Sequence, residues 1–251
     1  MIVLFAPSEG KRPGGDAPSL TPDSLIFPNL YEKRFEVISQ YEQLIKEGDY
    51  PQLNELFGLK DEKEFVRYKT SFDTAPTMKA IERYDGVAYD YLAYGRLSRP
   101  EQAYIDKNVI LFSNLFGPIS AGDFIPDYKL KQGSAVGSMA PEKFYKKYFT
   151  DPLDMLIGEQ EVLDLRAGFY DKFYTRKSPA MTLKFLKDGK IVSHWAKAYR
   201  GIVLRTVAEN QIRSLSDFKT MNIDGLTIIE MIETDKKQEI VYTIGGITNS
   251  S

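Results

Sequence analysis

Short apolar runs and helical periods follow one another along this chain without a fixed order, and that mixture limits the fold more than any other feature. Residues 2–6, 109–112 and 161–165 read as buried strands. Residues 181–186 alternate apolar and polar, turn at Asp188-Gly189 and return over 190–193; this is the pattern of a hairpin. A second hairpin is predicted from 227–233 and 238–243 around Thr234-Asp235-Lys236-Lys237. In residues 31–47, Tyr31, Phe35, Ile38, Tyr41 and Ile45 fall at helical spacing and Gly48 stands at the end, which predicts an amphipathic helix. Further helices are expected at 52–57, 62–69, 76–83, 86–94, 141–149 and 196–211, with a turn or two at 168–174. Ser98 before Arg99-Pro100-Glu101 is a helix start, so 99–107 is read as helical; 114–126 reads as a loop. Strands and helices are interspersed without strict β-α alternation, so the expectation is an α+β fold, a mixed sheet with helices packed around it. No linker, repeat or low-complexity tract divides the sequence, so residues 1–251 are read as one compact domain, with a disordered tail at 247–251.

Charge is unevenly spread. Residues 166–213 hold eleven cations against Asp171, Asp188 and Glu209, a net +8 in a chain of net −2. A basic segment in an otherwise acidic molecule can draw an anion to one face, and phosphate-bearing partners are the ones to consider. A solvated surface paired with acids elsewhere would give the same count.

The absent residues narrow the chemistry. There is no cysteine and a single histidine, His194. Thiol redox centres, thiolate zinc sites and cysteine-ligated iron–sulfur clusters are excluded from this chain alone. No G-x-S-x-G elbow supplies a triad serine, so acid–base work would fall to Asp, Glu, Lys or Tyr. His194 reads as a packed or surface histidine. An iron site would need oxygen ligands such as Asp123, Asp127 or Glu161; no spacing forces one, and neither a metal nor a cofactor is expected. The apolar opening after Met1 is too short and lacks the basic flank of a signal peptide. No stretch reaches membrane-span length; the expected address is cytoplasmic, with no membrane partner.

Several candidates follow predicted strands: Ser8, Glu9 and Lys11 after the first, Asn114 after 109–112, Arg166 after 161–165. Loops leaving strand ends are where sites assemble, although ordinary polar loops look the same. Ser8-Glu9-Gly10-Lys11 is not a phosphate loop, which needs G-x-x-x-x-G-K-[ST] before a helix; Lys11 remains a candidate point charge. Lys197 and Arg200 share one face in the first turns of their predicted helix, where backbone N–H groups also favour anions. Gly201 within that helix signals close approach of another backbone or of a ligand. Tyrosines interleave with cations at Tyr128-Lys129 and around Tyr170, a pattern that serves base stacking or simple burial of the ring.

Together these blocks resemble the YaaA family. Ala6-Pro7-Ser8-Glu9-Gly10-Lys11 resembles the P-S-E-G-K opening of one of its branches. Tyr84-Asp85-Gly86-Val87-Ala88-Tyr89 resembles its Gly, hydrophobic, Tyr block. Residues 111–119 followed by Asp127-Tyr128-Lys129-Leu130, residues 164–170, and Trp195-Ala196-Lys197-Ala198-Tyr199-Arg200-Gly201 resemble three further blocks, in the family's order. The chain departs from other members at Glu9-Gly10, where they carry Lys-Thr, and at Ser113-Asn114, where they carry Ser-Gly. The resemblance implies a peroxide-stress factor that keeps intracellular iron low and limits oxidative damage to DNA. It also implies binding of double-stranded or bubble DNA through a basic cleft and a helix-hairpin-helix-like element, here residues 86–94 with 99–107. Lys11, Lys129, Arg166, Lys197 and Arg200 would surround that cleft, with Ser8, Asn114, Tyr128 and Tyr170 as secondary contacts. An alternative is an enzyme acting on a small phosphorylated or nucleotide-like molecule in the same cleft, with Glu9, Asp85 and Tyr170 as acid–base groups.

Overall fold

Ile2–Phe5 is apolar at every position and buried at every position. A strand with that composition must have both faces covered, which is the environment of a central parallel strand. A computed structural model describes residues 1–235 and 237–245, without the side chains of Ser193 and His194. The readings of His194 and of the 247–251 tail therefore lie outside the described residues. Ile2–Phe5 indeed lies inside an eight-stranded sheet, between Val162–Leu165 and Val109–Ser113. From edge to edge the order is Leu226–Glu233, Gln238–Ile244, Met181–Lys187, Val162–Leu165, Ile2–Phe5, Val109–Ser113, Gly117–Ser120, with Lys190–Ile191 returning along Met181–Lys187. The five inner strands are mutually parallel. Each edge strand is antiparallel to its neighbour. The sheet is mixed, helices surround it, and the architecture is α+β.

Register sets where the loops emerge. Phe5 lies beside Leu111 on one side and Leu165 on the other. The three strands therefore end almost level, and the segments after Phe5, Ser113 and Leu165 leave the sheet at one edge. The chain visits Val109–Ser113 on one flank of Ile2–Phe5 before crossing to Val162–Leu165 on the other. That reversal of strand order is a topological switch point, and in α/β sheets the crevice outside the carboxyl ends there is where ligands bind.

The Tyr31–Glu47 helix begins and ends where its period predicts, but its inner face differs. Phe35 is 44% exposed and Arg34 is fully buried. The Arg34 guanidinium donates to the carbonyls of Phe116, Pro118 and Ile26, and stands 4.6 Å from the Phe149 ring centroid. Burial pushes Arg34 down to about 10, against the pull of Tyr145 and Asp123. The three carbonyls give its charge the polar partners that a buried cation requires.

Three predicted elements are corrected. Residues 76–83 are not one helix: Thr77–Lys79 is a strand paired antiparallel with Phe124–Pro126, and only Ala80–Arg83 is helical. Residues 114–126 are not a single loop, because Gly117–Ser120 returns along Val109–Ser113. Pro118 is tolerated there because an edge strand can spare one N–H. The helix expected at 141–149 continues through Pro152 to Ile157. The two predicted hairpins form, and the helix near 196–211 spans Ser193–Glu209. Among the described residues no helix is long and apolar enough to cross a membrane.

Candidate functional site

The segment after Phe5 is fixed from three directions. The Tyr89 hydroxyl donates to the Ala6 carbonyl at 2.9 Å. Gly10–Lys11 pairs antiparallel with Tyr84–Asp85. Gly86, at φ +141°, lies against Ser8, and a side chain there would meet Ser8 Oγ at 2.7 Å. Beneath this loop the rings of Phe5, Tyr84 and Tyr89 form a packed layer, with 5.6 Å between the centroids of each neighbouring pair.

Gly201 then brings in the basic helix. A Cβ at this position would overlap the Ala88 carbonyl oxygen and lie 3.1 Å from Leu92 N. The Ser193–Glu209 helix thus packs backbone to backbone on the Val87–Leu92 helix. The close approach read from Gly201 is made by protein backbone. Lys197 and Arg200, just before it on the helix, are carried to the loop after Phe5. They line a cavity of about 680 Å³ together with Ser8, Glu9, Asp85 and Tyr170. Phe5, Ala6, Pro7, Val87, Ala88, Leu165 and Ala167 supply its apolar wall.

The structure brings six of the sequence candidates to that cavity and places the others differently. Lys11 is 8% exposed. Its ammonium lies under the loop, 3.4 Å from the Ser8 and Glu9 carbonyl oxygens, and 4.1 Å from the Tyr128 ring centroid. Burial pushes Lys11 down to about 7; Lys129 adds to this, while Asp127 and Glu9 pull it up. Tyr128 is buried, its hydroxyl 2.8 Å from Ser113 Oγ and 2.9 Å from the Tyr84 hydroxyl. Ser113 Oγ accepts from the N–H groups of Leu115 and Phe116. The three hydroxyls of Ser113, Tyr128 and Tyr84 thus form one buried hydrogen-bonded chain. Asn114 is buried, and its Oδ1 has no hydrogen-bond partner. Lys129 stands behind Glu9, with Nζ 3.9 Å from Glu9 Oε2.

Arg166 turns away from this cavity. Its guanidinium is paired with Asp164 at 2.7 Å and Asp171 at 3.4 Å, donates to the Tyr170 and Tyr174 carbonyls, and lies 4.6 Å from the Phe112 ring centroid. It borders a separate hollow with Asp164, Arg176 and Lys177. Asp123, Asp127 and Glu161 also serve apart from one another. Asp123 accepts from Ile26 and Ser120 N–H, Asp127 pairs with Arg67 at 2.7 Å, and Glu161 accepts from Leu215 N–H. Among the described residues no three His, Asp or Glu side chains gather where they could hold a metal ion.

The cavity's electrostatics are mixed. Its charged lining is Lys197 and Arg200 against Glu9 and Asp85. No ion pair joins the two sets, and neither cation has any intramolecular ion-pair partner among the described residues. Burial lowers the Arg200 guanidinium, offset by Asp164. Burial raises the Tyr170 hydroxyl, Tyr84 and Glu9 raise it further, and the Asn114 side chain opposes them. Tyr170 therefore remains a hydroxyl donor at neutral pH. Sequence reasoning missed Gln132, whose backbone N–H donates to Glu9 Oε1 at 3.1 Å. Nothing in the sequence marks a backbone donor more than a hundred residues away.

The expected helix pair is present as Val87–Leu92 and Arg99–Asn108, joined through a 3-10 turn at Tyr94–Arg96. Glu101 accepts from Ser98 N–H at 2.6 Å. Both helices pack on Ser193–Glu209. A smaller hollow of about 390 Å³ lies beside the turn, lined by Arg12 and Arg96 and by Glu82 and Asp90.

A mixed sheet, with a cavity of apolar and charged lining at the carboxyl ends of its parallel strands, defines an α+β protein. The profile of the peroxide stress protein YaaA family matches residues 1–231. The chain belongs to that family. An uncharacterised protein of Campylobacter jejuni is 44% identical over 244 residues, covering 97% of this chain and 99% of the relative. A UPF0246 protein of Corynebacterium efficiens is 36% identical over 217 residues, covering 83% and 85%. A UPF0246 protein of Streptomyces coelicolor is 30% identical over 215 residues, covering 82% of each.

Proposed function

We propose that this chain serves the family's peroxide-stress role as a DNA-binding protein, limiting iron-dependent oxidative damage by holding the phosphate backbone of duplex or bubble DNA at the cavity mouth. One observation carries the reading: Lys197 and Arg200, from the basic segment, open side by side on one hollow with no ion-pair partner of their own among the described residues. A cation left unpaired at a concave site is a standing attraction for phosphate. The test is affinity for duplex and bubble DNA. Replacing both Lys197 and Arg200 by Ala is expected to weaken binding by about tenfold or more and to flatten its salt dependence. Unchanged affinity would overturn the reading.

A second reading is an enzyme acting on a small nucleotide-like or phosphorylated substrate. What favours it is the cavity's position and size: it lies at the strand switch point, and at about 680 Å³ it falls in the range of small-molecule pockets. Glu9, Asp85 and Tyr170 would be its acid–base groups. Thermal stabilisation by a nucleotide is expected; none across a nucleotide series would end this reading.

A further inference from the structure

The cavity separates its charges instead of pairing them. Lys197 and Arg200 project from the helix that packs on Ala88, whereas Glu9 is fixed at the other end of the loop by the Gln132 N–H and by Lys129. Arg200 feels Asp164, outside the cavity, as its carboxylate neighbour. Glu9 and Asp85 are held on paired segments, since Gly10 pairs with Asp85, and neither carboxylate forms an ion pair with Lys197 or Arg200; Tyr170 lines the same cavity. Apolar side chains make up much of the remaining lining. A ligand that satisfies this arrangement carries an anion, a flat apolar body and hydrogen-bond donors at the far edge.

We infer that the cavity takes one nucleoside monophosphate unit, its phosphate on Lys197 and Arg200, its base against Tyr170, and the base's donor edge read by the Glu9 carboxylate. An ionised carboxylate only accepts hydrogen bonds. It therefore selects a base that presents amine and ring N–H donors together, as guanine does, over one with a single N–H, as uracil and thymine have. The inference rests on the phosphate-binding reading above and adds what is bound beyond the phosphate. The unit can be a free nucleotide or an unpaired nucleotide within DNA.

Isothermal titration of the full chain with ribose 5-phosphate, GMP and UMP, repeated with Glu9→Gln and Arg200→Ala, separates the parts. Charged hydrogen bonds of the kind proposed favour GMP over UMP by about tenfold. Glu9→Gln keeps an acceptor for the Gln132 N–H and is expected to erase that preference without weakening ribose 5-phosphate binding, since it removes a negative charge from the cavity. Arg200→Ala is expected to weaken all three ligands together. A GMP-to-UMP ratio that is unity in the wild type, or untouched by Glu9→Gln, rules out the free nucleotide as the source even where Arg200→Ala still weakens binding. Loss of nothing in Arg200→Ala overturns the phosphate reading itself. Bubble oligonucleotides with a single unpaired guanine or thymine, assayed with the same variants, identify the source. A guanine preference that Glu9→Gln removes, in either ligand set, supports the inference; its absence from both sets overturns it.

Discussion

Lys11 places an amine where charge is costly, between two phenol rings and under a loop whose carbonyls reach it only at 3.4 Å. With Lys11 held at about 7 against 10.5 in the unfolded chain, folding releases a proton between those values. The unfolded state then binds more protons, so stability rises with pH across that window and is flat below it. Relative to Lys11→Met, the wild type is expected to gain stability from pH 7 to pH 10 with a slope of at most about 1.4 kcal/mol per unit. Urea unfolding at a series of pH values reads this; a difference independent of pH would refute it. Arg166 is the opposite case, a buried cation fully partnered. Arg166→Ala strands the Asp164 carboxylate and is expected to cost about 3 kcal/mol or more, seen as a lower urea midpoint. The basic count of residues 166–213 could not distinguish Arg166 from Arg200. One is consumed by Asp164 two residues earlier, and the other lines the cavity half-buried and without an ion-pair partner among the described residues, although both follow apolar positions in the sequence.

Elements meet at Gly86, which lies against Ser8, and at Gly201, which lies against Ala88, and both contacts are with residues that line the cavity. Gly201→Ala would push the Ser193–Glu209 helix off Ala88 and Leu92, since backbone atoms cannot yield as a side-chain tip can. An overpacking cost of about 3 kcal/mol is expected, with a lowered melting temperature and weakened ligand binding in the fraction that folds. Retention of both would mean that the helix contact does not shape the site. Local signals read well where an element is defined by its own period, as in Tyr31–Glu47, or by a cap, as at Ser98 and Glu101. They failed at Thr77–Lys79 and Phe124–Pro126, which are strands only because they pair with each other. Neither segment is long or alternating enough to announce itself, so propensity alone favoured helix and loop.

At the scale of the whole molecule, the cation supply at the cavity predicts how binding responds to salt. If Lys197 and Arg200 face phosphate as proposed, about two counterions are released, so log affinity for duplex DNA is expected to fall with log salt at a slope near −2. A slope several times steeper would mean that the contact surface extends well past Lys197 and Arg200. Under the proposed DNA binding, a net charge of −2 disfavours indiscriminate contact of the rest of the surface with nucleic acid and leaves specificity to the cavity.

Sequence alone determined that this chain folds as α+β, through the lengths and periods of its apolar runs, and that it belongs with the peroxide-stress family, through ordered blocks from Pro7-Ser8-Glu9 to Arg200-Gly201. It also supplied the residues at the mouth of the cavity. Tertiary structure decided which of those residues share a space. Lys11 went beneath the loop, Arg166 went to Asp164, and Glu9 met a backbone N–H at Gln132. The reason is physical: periodicity and capping act within a few residues, whereas burial, charge pairing and the convergence of strand ends are settled by contacts between segments far apart in the chain.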